Sequence, residues 1–201
     1  MTGRVLRRAI GPGMAFLLLP ATSHAHLVNT GLGPVYDGVS HFALTPEDLL
    51  PALALALLAG QRGSRAGRLV LFTLPAAWLL GGFVGLAFPS ISDAPVLTTL
   101  SFLALGGLVA AEASLHTEWV TGLAVVLGLL HGYLNGSAMS QARLGVLGLA
   151  GIVATLFATV ALASAMVVAI RAPWGRVAVR VAGSWIAAVG LLLLGWSFRA
   201  A

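Results

Sequence analysis

The sequence predicts an all-helical membrane protein that crosses the bilayer about six times after a cleaved signal peptide. Three observations predict it. Hydrophobic residues make up 59% of the 201 positions and charged residues only 8%, with a mean hydropathy of +0.99, far from a water-soluble domain. The apolar residues fall into six long runs, and the arginines fall into short clusters between them. Clusters of that kind orient a membrane protein, so the net charge of +5 and the basic pI of about 11.4 do not point to nucleic acid.

The first element is residues 1–25. Arg4, Arg7 and Arg8 precede a short apolar run from Met14 to Leu19, and Pro20 and Ser23-His24-Ala25 follow. A positive end, a short apolar middle and a small-residue exit describe a secretory signal peptide. Cleavage after Ala25 leaves residues 26–201 as one polytopic domain, with His26 at its new N-terminus. The terminal amine and imidazole of His26 suit nickel or copper.

A Gly/Pro/Asn-rich stretch from Asn29 to Gly38 reads as an exported loop. Six apolar segments follow, Leu44–Gly60, Leu69–Phe88, Val96–Leu115, Val120–Met139, Leu144–Ile170 and Val181–Phe198. With the mature N-terminus in the periplasm, Arg62, Arg65 and Arg68 share the cytoplasmic side with Arg171, Arg176 and Arg180. The positive-inside rule is then met in the inner membrane of a bacterium. Trp119 and Trp174 fall at span ends, where indoles commonly anchor at the interface.

The first span opens with Thr45-Pro46-Glu47-Asp48. Thr at the cap, Pro at the first helical position and acids behind it are a helix-start signal. Capping and the helix dipole account for Glu47 and Asp48 at a fraction of a kcal/mol to about 1 kcal/mol. From Pro46 to Gly60, however, the helix covers about 22 Å at ~1.5 Å per residue, short of a core of about 30 Å. That shortfall predicts a recessed start, with Val39 to Thr45 dipping as non-helical chain into a polar vestibule. His41, Glu47 and Asp48 then converge on its floor.

The fourth span carries Gly128, Gly132 and Gly136 at four-residue steps, which admit close approach of another helix. His131, Asn135 and Met139 form a second stripe of that helix. Polar groups in mid-membrane are functional candidates, although an interhelical hydrogen bond worth about 0.6–2 kcal/mol explains them equally simply. In the third span Glu112 stands four residues before His116 and six before Glu118, toward the cytoplasmic end. A carboxylate at a helix centre costs about 2.5–3.5 kcal/mol, so Glu112 is the suggestive member.

There is no cysteine, which excludes disulfides, thiolate metal sites and cysteine nucleophiles. No Gly-rich phosphate loop is present, so the chain hydrolyses no ATP. Ser137 lacks a nucleophile motif, and no enzyme activity is expected.

At these residues the sequence resembles the HupE/UreJ family of membrane proteins, a set of nickel or cobalt permeases associated with hydrogenase and urease maturation. The stretch Asn29-Thr-Gly-Leu-Gly-Pro-Val-Tyr36-Asp37-Gly-Val-Ser-His41-Phe-Ala-Leu-Thr-Pro-Glu47-Asp48-Leu-Leu-Pro51 is similar to one branch. Pro75-Ala-Ala-Trp78-Leu-Leu-Gly81-Gly82 and His131-Gly132-Tyr133 add to it. In the better-known branch an Asp-His pair stands where Glu47 and Asp48 stand here, and a second histidine stands where Asn135 does. Those departures replace two imidazoles by oxygen ligands and make the site harder.

The resemblance implies transport of Ni²⁺ or Co²⁺ as substrate, with no permanently bound cofactor. His26 and Asp37 would collect the ion, His41, Glu47 and Asp48 strip its hydration, His131 and Asn135 relay it, and Glu112 receive it. The expected partners are the lipid bilayer, the divalent ion and metalloenzyme maturation proteins, with no nucleic acid. The glycine steps permit a homo-oligomer as well as internal packing. A rival reading is a non-transporting scaffold for metalloenzyme or respiratory-complex assembly. A haem protein using His41, His116 and His131 would need two of them at one depth, and the topology separates all three.

Overall fold

A computed structural model describes residues 29–89 and 94–198. The signal-peptide reading, His26 and Asp93 lie outside the described residues.

Seven α-helices and no strands occur among the described residues. They are α1 (Pro34–Leu44), α2 (Pro46–Gln61), α3 (Ser64–Ala87), α4 (Pro95–Ala110), α5 (Thr117–Gln141), α6 (Gly145–Ala169) and α7 (Pro173–Ser197). Each of the six apolar segments overlaps one of the helices α2 to α7, several of which extend beyond the segment at one or both ends. Four of these, α3, α5, α6 and α7, are individually long and apolar enough to cross a membrane. The pair α1 and α2, bent by 71°, makes a fifth span when taken together, and α4 is an apolar helix of 16 residues. By length and composition the described residues thus hold four or five full-length candidate spans and one shorter apolar helix, beside the expectation of about six.

Helix α1 corrects a second expectation. Residues 34–38 were assigned to an exported loop and 39–45 to non-helical chain, yet Pro34–Leu44 is helical and only Thr45 is extended, at φ −101° and ψ 97°. Pro34 stands in the first helical turn, where its fixed φ suits helix and its missing N–H costs nothing. The break at Thr45 also follows from proline: the residue before Pro46 is pushed out of the helical region, and Pro46 begins a new helix. Thr45 makes no side-chain cap hydrogen bond. The helix starts where the Thr45-Pro46-Glu47-Asp48 signal places it, with the proline and not a cap hydrogen bond setting the start.

Helix α2 is the axis of the bundle. Asp48, Pro51, Ala52 and the whole run Ala54–Gly60 are buried, and α3, α4, α5 and α6 all pack on it. Polar exposure is confined to its two ends.

Close helix pairs surround this axis. Along α3 and α5, a Cβ on Gly132 would strike the Trp78 carbonyl and one on Gly136 the Gly82 carbonyl. From the other side, Cβ atoms on Gly81 and Gly85 would strike the Leu129 and Tyr133 carbonyls. The glycine stripe read in the sequence is therefore half of a reciprocal seam. Gly38 of α1 and Gly151 of α6 form a similar pair, meeting the carbonyls of Gly148 and Val35. Helix α7 packs chiefly on α4.

Candidate functional site

Asp48 stands in the first turn of α2 and is 5% exposed. Its Oδ1 lies 2.9 Å from His131 Nδ1 on α5, and its Oδ2 lies 3.9 Å from His41 Nε2 near the end of α1. The bend at Thr45 is what makes this arrangement, because it folds the last turn of α1 back over the first turn of α2. Three helices thus bring two imidazoles to one carboxylate. The separation in depth expected between His41 and His131 is corrected: both engage the same side chain.

His131 is fully buried. The Trp78 ring of α3 lies over its imidazole, with centroids 5.5 Å apart and planes inclined at 32°. Phe42 of α1 meets the Trp78 ring edge-on at 5.9 Å. On the far side His131 Nε2 faces Ser101 Oγ of α4 at 3.4 Å. Ser101 Oγ also reaches the Thr98 carbonyl at 2.6 Å.

Asn135 lies one turn further along α5 and is also buried. Its Nδ2 donates to the His131 carbonyl at 2.9 Å, and its Oδ1 has no hydrogen-bond partner. The amide lies close enough to the His41 ring to act on it. Met139, third member of the stripe, is buried but packs against α6, near Gly148.

The remaining sequence candidates fall elsewhere. Glu47 is exposed beside Asp48, within electrostatic reach of His41. Asp37, one turn before His41 on α1, accepts from the Thr30 backbone N–H at 2.7 Å and from Thr30 Oγ1 at 2.6 Å. It clips the preceding segment onto the helix.

Glu112 is far along the chain of contacts, at the arginine-bearing end. The expected helical pairing with His116 is corrected, because α4 ends at Ala110, Glu112 takes φ 50°, and His116 is an exposed, extended residue before α5. The carboxylate of Glu112 instead binds Arg176 of α7, whose Nε donates at 3.0 Å.

The hydrogen bond from Arg176 holds the Glu112 carboxyl below the usual carboxylate range, and the charges of Arg176, Arg180 and Arg62 act in the same direction. A depressed carboxyl pKa stabilises the fold above the unfolded-state value and loses that effect as pH falls through the folded value. Acidification through the carboxylate range should therefore lower the thermal midpoint of the wild type in detergent more than that of Glu112→Gln. Parallel pH curves for the two proteins would show that the pair contributes nothing.

Among the described residues, no three His, Cys, Asp or Glu side chains already converge at metal-holding distance. What the site does offer is a largely buried group of nitrogen and oxygen donors, two imidazoles, one carboxylate and one amide, at the bend between α1 and α2. Sequence reasoning singled out four of these donors but missed Trp78 and Ser101. Trp78 had a trace in the sequence, because Gly81 and Gly82 beside it mark the face of α3 that a second helix approaches.

The family model described as HupE / UreJ protein matches residues 14–193. The chain is also 27% identical over 194 residues to Protein HupE of Rhizobium leguminosarum bv. viciae, covering 90% of this chain and 94% of that protein. No solved structure matches. The match to the family model spans every helix that builds the donor cluster, and the chain belongs to the HupE/UreJ family of membrane proteins.

Proposed function

We propose that the protein is an inner-membrane permease for a divalent transition metal, nickel or cobalt, and that His41, Asp48, His131 and Asn135 form its capture site. The observation that carries this reading is Asp48, a buried carboxylate shared by imidazoles from two other helices, with the Asn135 amide one turn beyond His131. Imidazole and carboxylate donors together suit late first-row divalent ions.

To ligate through Nδ1, His131 must give up any proton it directs at Asp48, so uptake of the ion releases a proton, as metal binding to imidazole commonly does. The ion's charge then replaces that hydrogen bond. Trp78 and Phe42 keep the cluster dry on one side, which strengthens each electrostatic contact within it. With Arg62, Arg65, Arg68, Arg171, Arg176 and Arg180 facing the cytoplasm, the cluster lies toward the periplasmic side. Glu47 and Asp37, and His26 in the part of the chain outside the described residues, then belong to the approach. Glu112 is held by Arg176, and an ion leaving through it would have to displace that guanidinium.

The test is uptake of radioactive Ni²⁺, with Co²⁺ and Mn²⁺ as competitors, in a nickel-transport-deficient bacterium. Wild type is expected to give saturable uptake that His131→Ala abolishes at matched membrane abundance. One observation favours the scaffold reading instead: His131 is engaged on both ring nitrogens by protein groups, Asp48 and Ser101. That reading predicts no uptake from the wild type, and a His131→Ala protein that fails to accumulate or to bind its partner.

A further inference from the structure

At the arginine-bearing end, two cavities share a wall. One, of about 310 Å³, is bounded by Gln61, Glu112 and Arg176 together with Ile170 and Val179. The other, of about 470 Å³, is an apolar groove that runs over Leu57, Met166 and Ala178, shares Ile170 and Val179, and includes Arg171 and Trp174. A polar chamber thus opens beside an apolar trough.

The charge of the chamber decides what it can hold. Arg176 binds the Glu112 carboxylate directly and Arg180 holds the Ala110 carbonyl two residues before it, and with Arg62 near enough to act on the same carboxylate this end carries a formal excess of two positive charges. Arg171 on the adjoining groove raises it further. Such a site repels a dication and attracts an anion. A free inorganic anion would account for the chamber but not for the trough beside it. A phosphodiester carrying acyl chains accounts for both, and Trp174, 75% exposed, marks this end as the depth of lipid headgroups.

We propose that this end of the bundle binds an anionic phospholipid, with its phosphate at the arginines around Glu112 and an acyl chain in the groove between α6 and α7. Basic pockets between membrane helices recognise anionic headgroups in this way. The site is separate from the histidine cluster, lying at the opposite end of α2.

The experiment uses the purified full-length protein in detergent, delipidated, and native mass spectrometry with phosphatidylglycerol and phosphatidylcholine of identical acyl chains. Wild type is expected to retain phosphatidylglycerol in preference, and removal of one guanidinium in Arg62→Gln or Arg171→Gln to reduce that preference roughly fivefold. Ala178→Phe, which fills the trough and leaves every arginine in place, should lower occupancy by both lipids. Glycerol 3-phosphate, added alone, should neither bind nor raise the thermal midpoint. Equal retention of the two lipids, an undiminished preference in both arginine variants, unchanged occupancy in Ala178→Phe, or full stabilisation by glycerol 3-phosphate would each overturn the proposal. None of these readouts depends on ion transport.

Discussion

Asp48→Asn is expected to reduce saturable metal uptake to background while the protein still reaches the membrane in normal amounts. The substitution keeps an oxygen in position to accept from His131 Nδ1, so the contact at 2.9 Å between α2 and α5 can persist. What it removes is the negative charge, the one feature of the cluster that offsets the cost of stripping water from a dication. Asp48→Ala should do more. It leaves the fully buried His131 ring without its Nδ1 partner and should cost about 1–3 kcal/mol, the usual cost of orphaning a buried polar group. His131→Ala removes the other side of the same contact, so the double variant should be less destabilised than the sum of the two single ones.

The comparison with Glu47 makes the experiment specific. Glu47 neighbours Asp48 and carries the same charge, but it is exposed, where water and salt screen it. Glu47→Gln should therefore slow uptake far less than Asp48→Asn. Uptake assays at matched abundance and thermal unfolding in detergent separate the two effects. Equal loss of uptake in Glu47→Gln and Asp48→Asn would mean that general negative charge at the entrance matters, and that the buried carboxylate has no particular role.

Much of this site was readable from spacing alone. His131 and Asn135 recur at helical intervals beside a glycine stripe, and a stripe of glycines beside polar residues can only face other helices. Thr45-Pro46 marked a helix start because proline acts on its neighbours through local sterics. What spacing could not supply was depth. The stretch from Asn29 to Gly38 has loop-like composition, and its last five residues fold as helix because Gly38 lets α1 lie directly on α6, a contact with residue 148. That is a tertiary cause, invisible to composition. The same holds for Ser101 and Trp78, which reach His131 across 30 and 53 positions of chain. Glu112 shows the opposite failure: its i, i+4 relation to His116 assumed that α4 continued, whereas the helix stops at Ala110 and the carboxylate turns to Arg176.

The seam between α3 and α5 should be the least tolerant part of the molecule. A methyl group at Gly132 would collide with the Trp78 carbonyl, and backbone has nowhere to move when α3 is held by Gly81 and Gly85 against the Leu129 and Tyr133 carbonyls above and below. Overpacking of this kind costs about 1–3 kcal/mol, so Gly132→Ala should lower the thermal midpoint and Gly132→Val should prevent accumulation. Gly122→Ala on the same helix is the control. A Cβ there meets nothing within 4 Å, and alanine is favoured over glycine in a helix by about 0.5–1 kcal/mol, so this variant should be unchanged or slightly more stable. The seam also sets the site, since Trp78 presents its carbonyl to Gly132 and its ring to His131. Forcing the helices apart draws the indole away from the imidazole and admits water beside Asp48. Gly132→Ala should therefore lose metal uptake even in the fraction that folds, and Gly122→Ala should keep it. If Gly132→Ala transported normally at matched abundance, the dry wall formed by Trp78 would have no part in the capture site.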